Sequence, residues 1–411
     1  MSNERLFHRD FSLMVIGQVI SLFGNAVLRF ALSLAVLDAT GSAAIFGGIL
    51  AVSMVPTALL SPIGGVLADR LPRQRIMVIL DFITAALILL FALFFSHGGN
   101  LVAITVLMIL LSLIQAIYQP AVQASIPSLA PESQWMAANG IVVQVQALAG
   151  LLGPVLGGVL YGFWGLSLIL PVCCVCFFLS AMMELFLRIP FSPPPRSSSL
   201  LAEGARDLRE AVRFLVREKM SLLRLLLIVA LLNLFLAALF IIGLPYLVKV
   251  HLGLSAELYG FAEAALGIGS ILGGLLSGPT AKRFGFRRSH LFLFGTVIFL
   301  LPAVLVLAAG APPLVSYGVL LGSVVFGMGC AALFNIAAQT FLQKQTPSHL
   351  LGKMGAFVST LCMCAMPIGQ SMYGLLFEWF SGIPWVVMLF GCVVSMVLVF
   401  AARNGLRQAE P

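Results

Sequence analysis

Residues 43–75 read AAIFGGILAVSMVPTALLSPIGGVLADRLPRQR, and this stretch holds the two signals that decide the fold. Its first part carries no charged residue before Asp69, and it is long enough for a helix to cross the hydrocarbon core, which takes about 20 residues. Three arginines, Arg70, Arg73 and Arg75, then follow closely. A long apolar run that ends in a basic segment is typical of a transmembrane helix reaching the cytoplasmic surface.

The same alternation continues through the chain. Hydrophobic residues make up 61% of the sequence and charged residues only 9%, against about 25% charged residues in soluble proteins. Lipid must therefore cover most of the surface. Runs of spanning length fall at residues 11–37, 43–68, 76–96, 101–123, 137–162, 165–187, 221–248, 258–281, 289–309, 313–342, 353–377 and 384–402. The sequence predicts an all-α membrane protein with twelve transmembrane helices, called spans 1 to 12 here.

The basic residues give the expected orientation. With the N-terminus in the cytoplasm, the cytoplasmic segments hold all but two of the 23 Lys and Arg residues, the exceptions being Arg29 and Lys249. Because lysine and arginine accumulate on the cytoplasmic side, we expect a multi-pass protein of the cell membrane, the bacterial inner membrane, with both termini cytoplasmic. The net charge of +8 is divided among short loops, so the lipid bilayer is the expected partner and nucleic acid is not.

The two halves of the chain repeat each other. Duplication predicts two six-helix bundles, residues 1–188 and 221–411, with a substrate site near the membrane midplane between them. Residues 189–220 form the predicted cytoplasmic linker with an amphipathic helix, which either lies in the membrane interface or is solvated. The repeat matches Gly65, Arg70 and Arg75 to Gly278, Arg283 and Arg288, and Gln119, Gln123, Pro131, Gly153 and Gly158 to Asn335, Gln339, Pro347, Gly369 and Gly374.

Polar side chains inside spans 1, 4, 7 and 10 are the candidate substrate contacts. Polar groups are costly in lipid, so they should face a cavity or a neighbouring helix. In span 1, three of them fall within about 40° of one another on a helical wheel. The alternative is plain interhelical hydrogen bonding. The predicted cavity residues are Gln18, Asn25, Arg29, Gln115, Gln119, Asn233, Asn335 and Gln339.

Charged residues inside spans are candidates for ion coupling. Arg29 in span 1 and Glu263 in span 8 each need a partner, water or substrate, and each is interpreted either as half of an ion pair or as a coupling group. Asp81 and Glu184 lie nearer the inner span ends, and we assign them to ordinary interfacial positions.

Motifs of the common enzymes and cofactor sites are missing from the sequence. It contains no Gly-x-x-x-x-Gly-Lys-Ser/Thr loop, no His-Glu-x-x-His and no Gly-x-Ser-x-Gly, so ATP hydrolysis by that loop and these hydrolase classes are not expected. The seven cysteines lie in apolar segments without histidine or charged neighbours, as expected of packing residues. We expect no enzyme activity, no metal and no cofactor.

The loop after span 2 resembles a known signature. Gly65-Val-Leu-Ala-Asp69-Arg70-Leu-Pro72-Arg73-Gln74-Arg75 is similar to the Gly-x-x-x-Asp-Arg-x-Gly-Arg-Arg/Lys motif of the major facilitator superfamily, with Pro72 replacing a glycine and Gln74 a basic residue. The resemblance implies the major facilitator fold and a cytoplasmic gate at Gly65, Asp69, Arg70, Arg73 and Arg75. In such a gate, Asp69 contacts the opposite bundle near the start of span 11, and the arginines bind acidic groups or lipid.

A second motif is similar to one found in exporters of that superfamily. It comprises Gly153, Pro154, Gly157 and Gly158 in span 5. Together with Tyr118-Gln-Pro-Ala and Leu351-Gly352-Lys353, it resembles the macrolide-efflux branch of the drug–proton antiporters. Those antiporters often carry an arginine in span 4, where this chain has Ser112. Arg29 supplying that cation is a hypothesis.

The resemblance implies a monomeric secondary exporter of small amphipathic or hydrophobic compounds, with protons as the coupling ion and alternating access as the mechanism. The alternative on the same fold is an exporter of a siderophore or metabolite, or a lysophospholipid transporter.

Overall fold

The computed structural model describes residues 7–95, 100–190, 209–210, 212–217, 219–284, 288–347 and 350–408. Helices α1 to α5 are Arg9–Thr40, Ala43–Arg70, Arg73–Phe94, Leu101–Leu129 and Trp135–Leu185. Helices α6 and α7, Met220–Leu232 and Ala238–Pro245, form one segment with the π-helical turns Asn233–Ala237 and Tyr246–His251. Helices α8 to α12 are Ala256–Phe284, His290–Ala308, Pro313–Gln345, Leu351–Trp379 and Pro384–Gln408.

The number of membrane spans agrees with the prediction. Within the described residues, 11 stretches are long and apolar enough to cross a membrane. One of them, Glu132–Leu185, is 54 residues long, far more than the roughly 20 residues that one crossing needs. Gly165, with φ 63° and ψ −159°, breaks α5 within that stretch, a conformation open mainly to glycine. Helix α5 therefore contains spans 5 and 6, and the all-α fold of twelve spans is confirmed.

The structure divides into two compact units. The first unit comprises Met1–Ala39 and Val52–Leu200, and the second comprises Thr40–Ala51 and Leu201–Pro411. The predicted bundle limits at residues 188 and 221 and the linker at 189–220 stay a prediction, because much of that linker lies outside the described residues.

The described part of the predicted linker helix packs on the second unit. Phe214 and Leu215 are buried in an apolar cluster with Leu222, Phe341 and Met354. Burial of apolar side chains stabilises this contact by about 25 cal/mol per Å². The segment is therefore held by its apolar face, which neither of the two sequence interpretations included. Arg206 and Leu208 of the predicted helix are outside the described residues.

Each unit exposes many large apolar side chains. Leu93, Phe94 and Val102 in the first unit and Leu275 and Leu305 in the second are about two-thirds exposed or more. Such surface would be unfavourable in water, and it matches a protein whose outer face meets acyl chains.

Candidate functional site

Arg29 is held by two polar side chains of the first unit. Its Nε donates to Asn25 Oδ1 at 3.2 Å, and its Nη2 donates to Ser112 Oγ at 3.1 Å. Thr57 Oγ1 donates to the Ser112 carbonyl oxygen at 3.2 Å. The guanidinium of span 1 thus reaches Ser112, the position in span 4 at which the resemblance leads us to expect an arginine. That Arg29 supplies the missing cation stays a prediction.

A row of amides continues from this contact along α4. Gln119 Nε2 donates to Gln115 Oε1 at 3.4 Å, and Gln146 Nε2 of α5 donates to Gln119 Oε1 at 3.1 Å. All three side chains are half-buried. Gln146 was not among the predicted cavity residues, although an amide inside an apolar span was a signal that could have found it.

Gln18 lies elsewhere in the first unit. Its side chain is 1% exposed, and neither its Oε1 nor its Nε2 has a hydrogen-bond partner. The structure therefore places Asn25 and Arg29 in one polar group with Ser112, and Gln115 and Gln119 in a second group with Gln146. Gln18 is a separate, fully buried side chain.

The second unit contains a cavity lined by two of the predicted residues. Asn233 and Asn335 both line a cavity of about 100 Å³, with Leu293, Met328 and Phe334 among the apolar lining. Asn233 begins the π-helical turn of span 7, and turns of this kind are frequent at functional sites. Gln339, one turn further along α10, is exposed and is not part of this lining.

The amide of Asn233 is anchored rather than free. Its Nδ2 donates to the Val229 carbonyl oxygen at 3.0 Å and to Cys362 Sγ at 3.5 Å. The cavity therefore combines a few fixed hydrogen-bonding groups with apolar walls, which is how small-molecule sites are usually built.

Glu263 is paired with a tyrosine of its own helix. The Tyr259 hydroxyl donates to Glu263 Oε1 at 2.9 Å. The two residues are one turn apart on α8, so the pair is a local contact.

The loop motif after α2 is only partly described. The backbone of Asp69 is helical, but its side chain lies outside the described part of the chain, so the expected gate contact stays a prediction. Arg70 and Arg75 are exposed. Arg73 Nε donates to the Ala68 carbonyl oxygen at 3.1 Å, and its Nη1 donates to Ser128 Oγ at 3.0 Å. Arg73 therefore closes the end of α2. Gly65 is half-buried with open space beside it.

The exporter-type motif of α5 allows two helices to approach closely. A Cβ at Gly153 would overlap Ala26 of α1, and one at Gly157 would come within 2.9 Å of the Phe30 ring. Gly158 is buried and Pro154 is half-buried. Gly369, the counterpart of Gly153 in the repeat, meets the Leu234 carbonyl oxygen in the same manner. The same glycine contact thus recurs between spans 5 and 1 in one unit and between spans 11 and 7 in the other.

Two buried carboxyl groups were assigned incorrectly from sequence. Asp81 of α3 and Glu184 of α5 are 2% and 0% exposed, so they are not interfacial. Their position inside predicted spans was a sufficient warning, since an ionisable residue within a span is a functional candidate by default.

The comparisons with known proteins agree with this architecture. The family model for the Major Facilitator Superfamily matches residues 14–250 and 226–407. The chain belongs to the major facilitator superfamily. It is a multi-pass membrane protein of a transporter family rather than an enzyme.

Several relatives of this superfamily member are export proteins. Macrolide efflux protein A of Streptococcus pyogenes is 26% identical over 403 residues, which cover 96% of each chain. Enterobactin exporter EntS of Salmonella choleraesuis is 25% identical over 366 residues, covering 85% of this chain and 82% of EntS. A solved bacterial homologue of the iron transporter ferroportin shares the fold, with a TM-score of 0.70 at 20% identity over 95% of this chain and 98% of its own.

Proposed function

We propose that this superfamily member is a secondary active exporter of small amphipathic or hydrophobic compounds. It works as a monomer in the bacterial plasma membrane with both termini in the cytoplasm, and its cycle opens the substrate site first to one side of the membrane and then to the other. The observation that carries the proposal is the polar network of Arg29, Asn25 and Ser112 inside an otherwise apolar helix bundle. Relatives that export macrolides and enterobactin support the direction of transport.

The chemistry of the sites suits bulky, weakly polar cargo. In the second unit, Asn233 and Asn335 offer amides within apolar walls, and in the first unit Gln115 and Gln119 add a row of donors and acceptors. Such a surface binds mainly by apolar contact, with a few hydrogen bonds that orient the ligand.

Proton antiport is the proposed energy source. One proton moving through 100 mV releases about 2.3 kcal/mol, and a pH difference of one unit adds about 1.4 kcal/mol. The total of about 3.7 kcal/mol sustains a gradient of several hundred fold for a neutral substrate, at about 1.4 kcal/mol per factor of ten. Arg29 and Glu263 are the proposed coupling residues of the two units.

The deciding experiment uses everted membrane vesicles with an acidified interior and a panel of a macrolide, a fluorescent cationic dye and a catecholate siderophore. We expect uptake of the macrolide or the dye that stops when a proton–potassium exchanger collapses the pH gradient. Uptake of the siderophore alone would favour the second candidate, siderophore export, which the similarity to EntS supports. Uptake of every compound at the rate of protein-free vesicles would refute export.

The loop motif is the proposed cytoplasmic gate, with Asp69 as its latch. Asp69→Asn removes the charge that a breakable contact at a helix N-terminus needs, so transport in the same vesicles should fall while membrane insertion is unchanged. Unchanged transport would remove Asp69 from the gate.

A further inference from the structure

The first unit contains two buried carboxyl groups linked by hydroxyl groups. The Tyr118 hydroxyl donates to Glu184 Oε1 at 2.6 Å, and Ser21 Oγ donates to Asp81 Oδ1 at 3.3 Å. Tyr118 lies close enough to Ser21 and Asp81 to interact with both, and the two carboxyl groups interact with each other. Four side chains from α1, α3, α4 and α5 thus form one polar cluster, called the carboxyl cluster below.

No cation balances these two acids within the described residues. Neither Asp81 nor Glu184 forms an ion pair there with a lysine, arginine or histidine. Asp81 Oδ2 and Glu184 Oε2 are buried and have no hydrogen-bond partner. A buried carboxylate without a counter-charge is very unfavourable, and two of them side by side are more so. A bound proton removes one charge and gives an orphaned oxygen a hydrogen to donate.

Gln18 is an independent sign that the cluster is incomplete as it stands. It lies three residues before Ser21, so the two side chains share a face of α1. The neighbouring Gly17 packs against Glu184, since a Cβ at Gly17 would be 3.6 Å from Glu184 Cγ. The Gln18 amide, 1% exposed and without a partner, shares the face of α1 that carries Ser21, and it has an unused donor and acceptor for a carboxyl group that changes protonation.

The repeat shows that the fold does not require this polarity. Thr84 and Thr296 each donate to the carbonyl oxygen four residues earlier, which aligns α3 with α9. Asp81 lies three residues before Thr84 in the first unit. In the second unit, Leu293 lies three residues before Thr296 and is 3% exposed. Tyr118 precedes Gln119 just as Phe334 precedes the matching Asn335, and Phe334 is 2% exposed. The same buried positions are filled by hydrocarbon in the other half.

We propose that the carboxyl cluster is a proton-binding site, in which Asp81 and Glu184 take up a proton and the Ser21 and Tyr118 hydroxyls pass it between them. A proton adds to a carboxylate oxygen of one acid and later leaves from it, and no other bond changes. Each hydroxyl both donates and accepts a hydrogen bond, as a relay requires. The role of the site in transport rests on the proposed function, but proton binding itself does not. The groups facing the site are Gln18 and Ser21 on α1, Asp81 on α3, Tyr118 on α4, and Ser180 and Glu184 on α5.

The cluster is tied directly to the loop motif. Gln74 Nε2 donates to the carbonyl oxygens of Glu184 and Leu185 at 3.2 and 2.9 Å. Gln74 stands where the superfamily signature usually has a basic residue, and it binds the backbone of the residue that carries one of the acids. A movement of the loop therefore pulls on the end of α5, which gives the proton site a mechanical link to the proposed gate.

A metal cation fits the cluster less well than a proton. Hard cations need several oxygen lone pairs at 2.3–2.6 Å for Ca²⁺ or closer for Mg²⁺. Here the hydroxyl groups of Ser21 and Tyr118 donate hydrogen bonds to the carboxyl groups. The side chains of the cluster are also buried, so they leave no exposed surface through which an ion could enter.

Infrared difference spectroscopy of the purified protein tests the site without a substrate. At neutral pH the wild type should show the C=O stretching band of a protonated carboxylic acid, and raising the pH should convert it to carboxylate bands. The band should be lost in the double variant D81N/E184Q, which keeps the shape of both side chains. It should persist in the matched control E378Q, which removes an exposed carboxyl group of the second unit that Ser42 Oγ bonds at 2.8 Å. Loss of the band only in E378Q, or an identical spectrum in wild type and double variant, would overturn the proposal.

A second, milder variant tests the same site in case the double variant does not fold. Tyr118→Phe installs the residue that the second unit carries at this position, and it should shift the C=O band by removing the hydrogen bond to Glu184. An unshifted band would contradict a shared cluster. Spectra in sodium chloride and in choline chloride should agree, whereas a sodium-dependent shift would replace the proton with a metal cation.

Vesicle transport separates this inference from the proposed function. If the infrared band behaves as expected but the wild type moves none of the tested compounds under a pH gradient, the proton site stands and the exporter proposal fails. If the wild type exports and D81N keeps its full dependence on the pH gradient, the site has no role in coupling.

Discussion

The carboxyl cluster of the first unit and the asparagine-lined cavity of the second occupy corresponding places in two halves of a duplicated chain. Asp81 and Tyr118 in one half are replaced by Leu293 and Phe334 in the other. Those two residues line the cavity that also contains Asn335. The scaffold is preserved by its glycine contacts, whereas the buried chemistry has diverged. Because the second unit packs apolar residues where the first has Asp81 and Tyr118, helix packing alone does not require the acid, which is consistent with the proposed proton site.

The largest effect is expected when an acid is moved into the second unit, where the corresponding position is apolar. Leu293→Asp places a carboxyl group in a cavity wall that is mostly apolar, and an aspartate at the centre of a membrane helix costs about 3 kcal/mol. We expect a clear loss of folded protein, measured by fluorescence-detected size-exclusion chromatography and by the melting temperature. The reciprocal variant, Asp81→Leu, should remain folded. Equal loss in both would contradict the view that the first unit tolerates an apolar residue at this position.

The preserved scaffold predicts equal sensitivity of two distant glycines. Gly153→Ala and Gly369→Ala each force a methyl group into a neighbouring helix, against Ala26 and the Leu234 carbonyl oxygen respectively. Overpacking of this kind costs about 1–3 kcal/mol, so both melting temperatures should fall by similar amounts. Gly150→Ala is the control, since a Cβ there meets nothing within 4 Å. A fall in only one of the two variants would argue against equivalent helix contacts.

The charged contacts of Arg29 should matter more for transport than the neutral amides of the second unit. Arg29→Gln removes a charged donor from Asn25 and Ser112, and hydrogen bonds to charged groups contribute about 1.5–3 kcal/mol. If these hydrogen bonds stabilise the state of the protein that moves substrate, the rate of transport in vesicles should fall about tenfold or more. Arg213→Gln, at an exposed arginine outside the gate motif, controls for loss of charge. Equal rates in Arg29→Gln and wild type would reduce the network to a structural contact.

The neutral amides of the second unit should have the smallest effect. Asn335→Ala removes one polar group from the cavity wall, and a single hydrogen bond in a membrane contributes about 0.6 kcal/mol, or about a threefold change in apparent affinity. The change should appear in the concentration dependence of transport, with the maximal rate kept. Asn139→Ala is the matched control, because its amide is exposed and bonds the backbone of its own helix.

The sequence predicted most of the fold because each span is decided locally. An apolar run of sufficient length must be a helix in lipid, since its backbone polar groups have no other partners. The internal break of α5 at Gly165 and the π-helical turn at Asn233 did not change the number of spans. Arg29, Asn25, Gln115 and Gln119 of spans 1 and 4 all have polar partners, and their role in substrate binding stays a prediction.

The prediction missed the carboxyl cluster because its members belong to four different helices. Asp81 and Glu184 looked interfacial when counted along the chain, and Tyr118 looked like an ordinary aromatic residue. Only packing shows that one hydroxyl reaches one acid and that both acids are buried with no counter-charge among the residues that the structure describes. Gln18 was predicted as a cavity residue, and it is 1% exposed without a hydrogen-bond partner, because its neighbours on other helices cannot be read from a single helix.

By itself, the sequence determined the solvent, the twelve crossings and the duplication of this transporter, because these depend on hydrophobicity and spacing along one chain. The tertiary structure decided which polar groups meet: Arg29 with Ser112, Asn233 with Asn335 at one cavity, and Asp81 with Glu184 in a buried cluster. The physical reason is that the cost of burying a charge depends on what surrounds it, and those surroundings come from other helices.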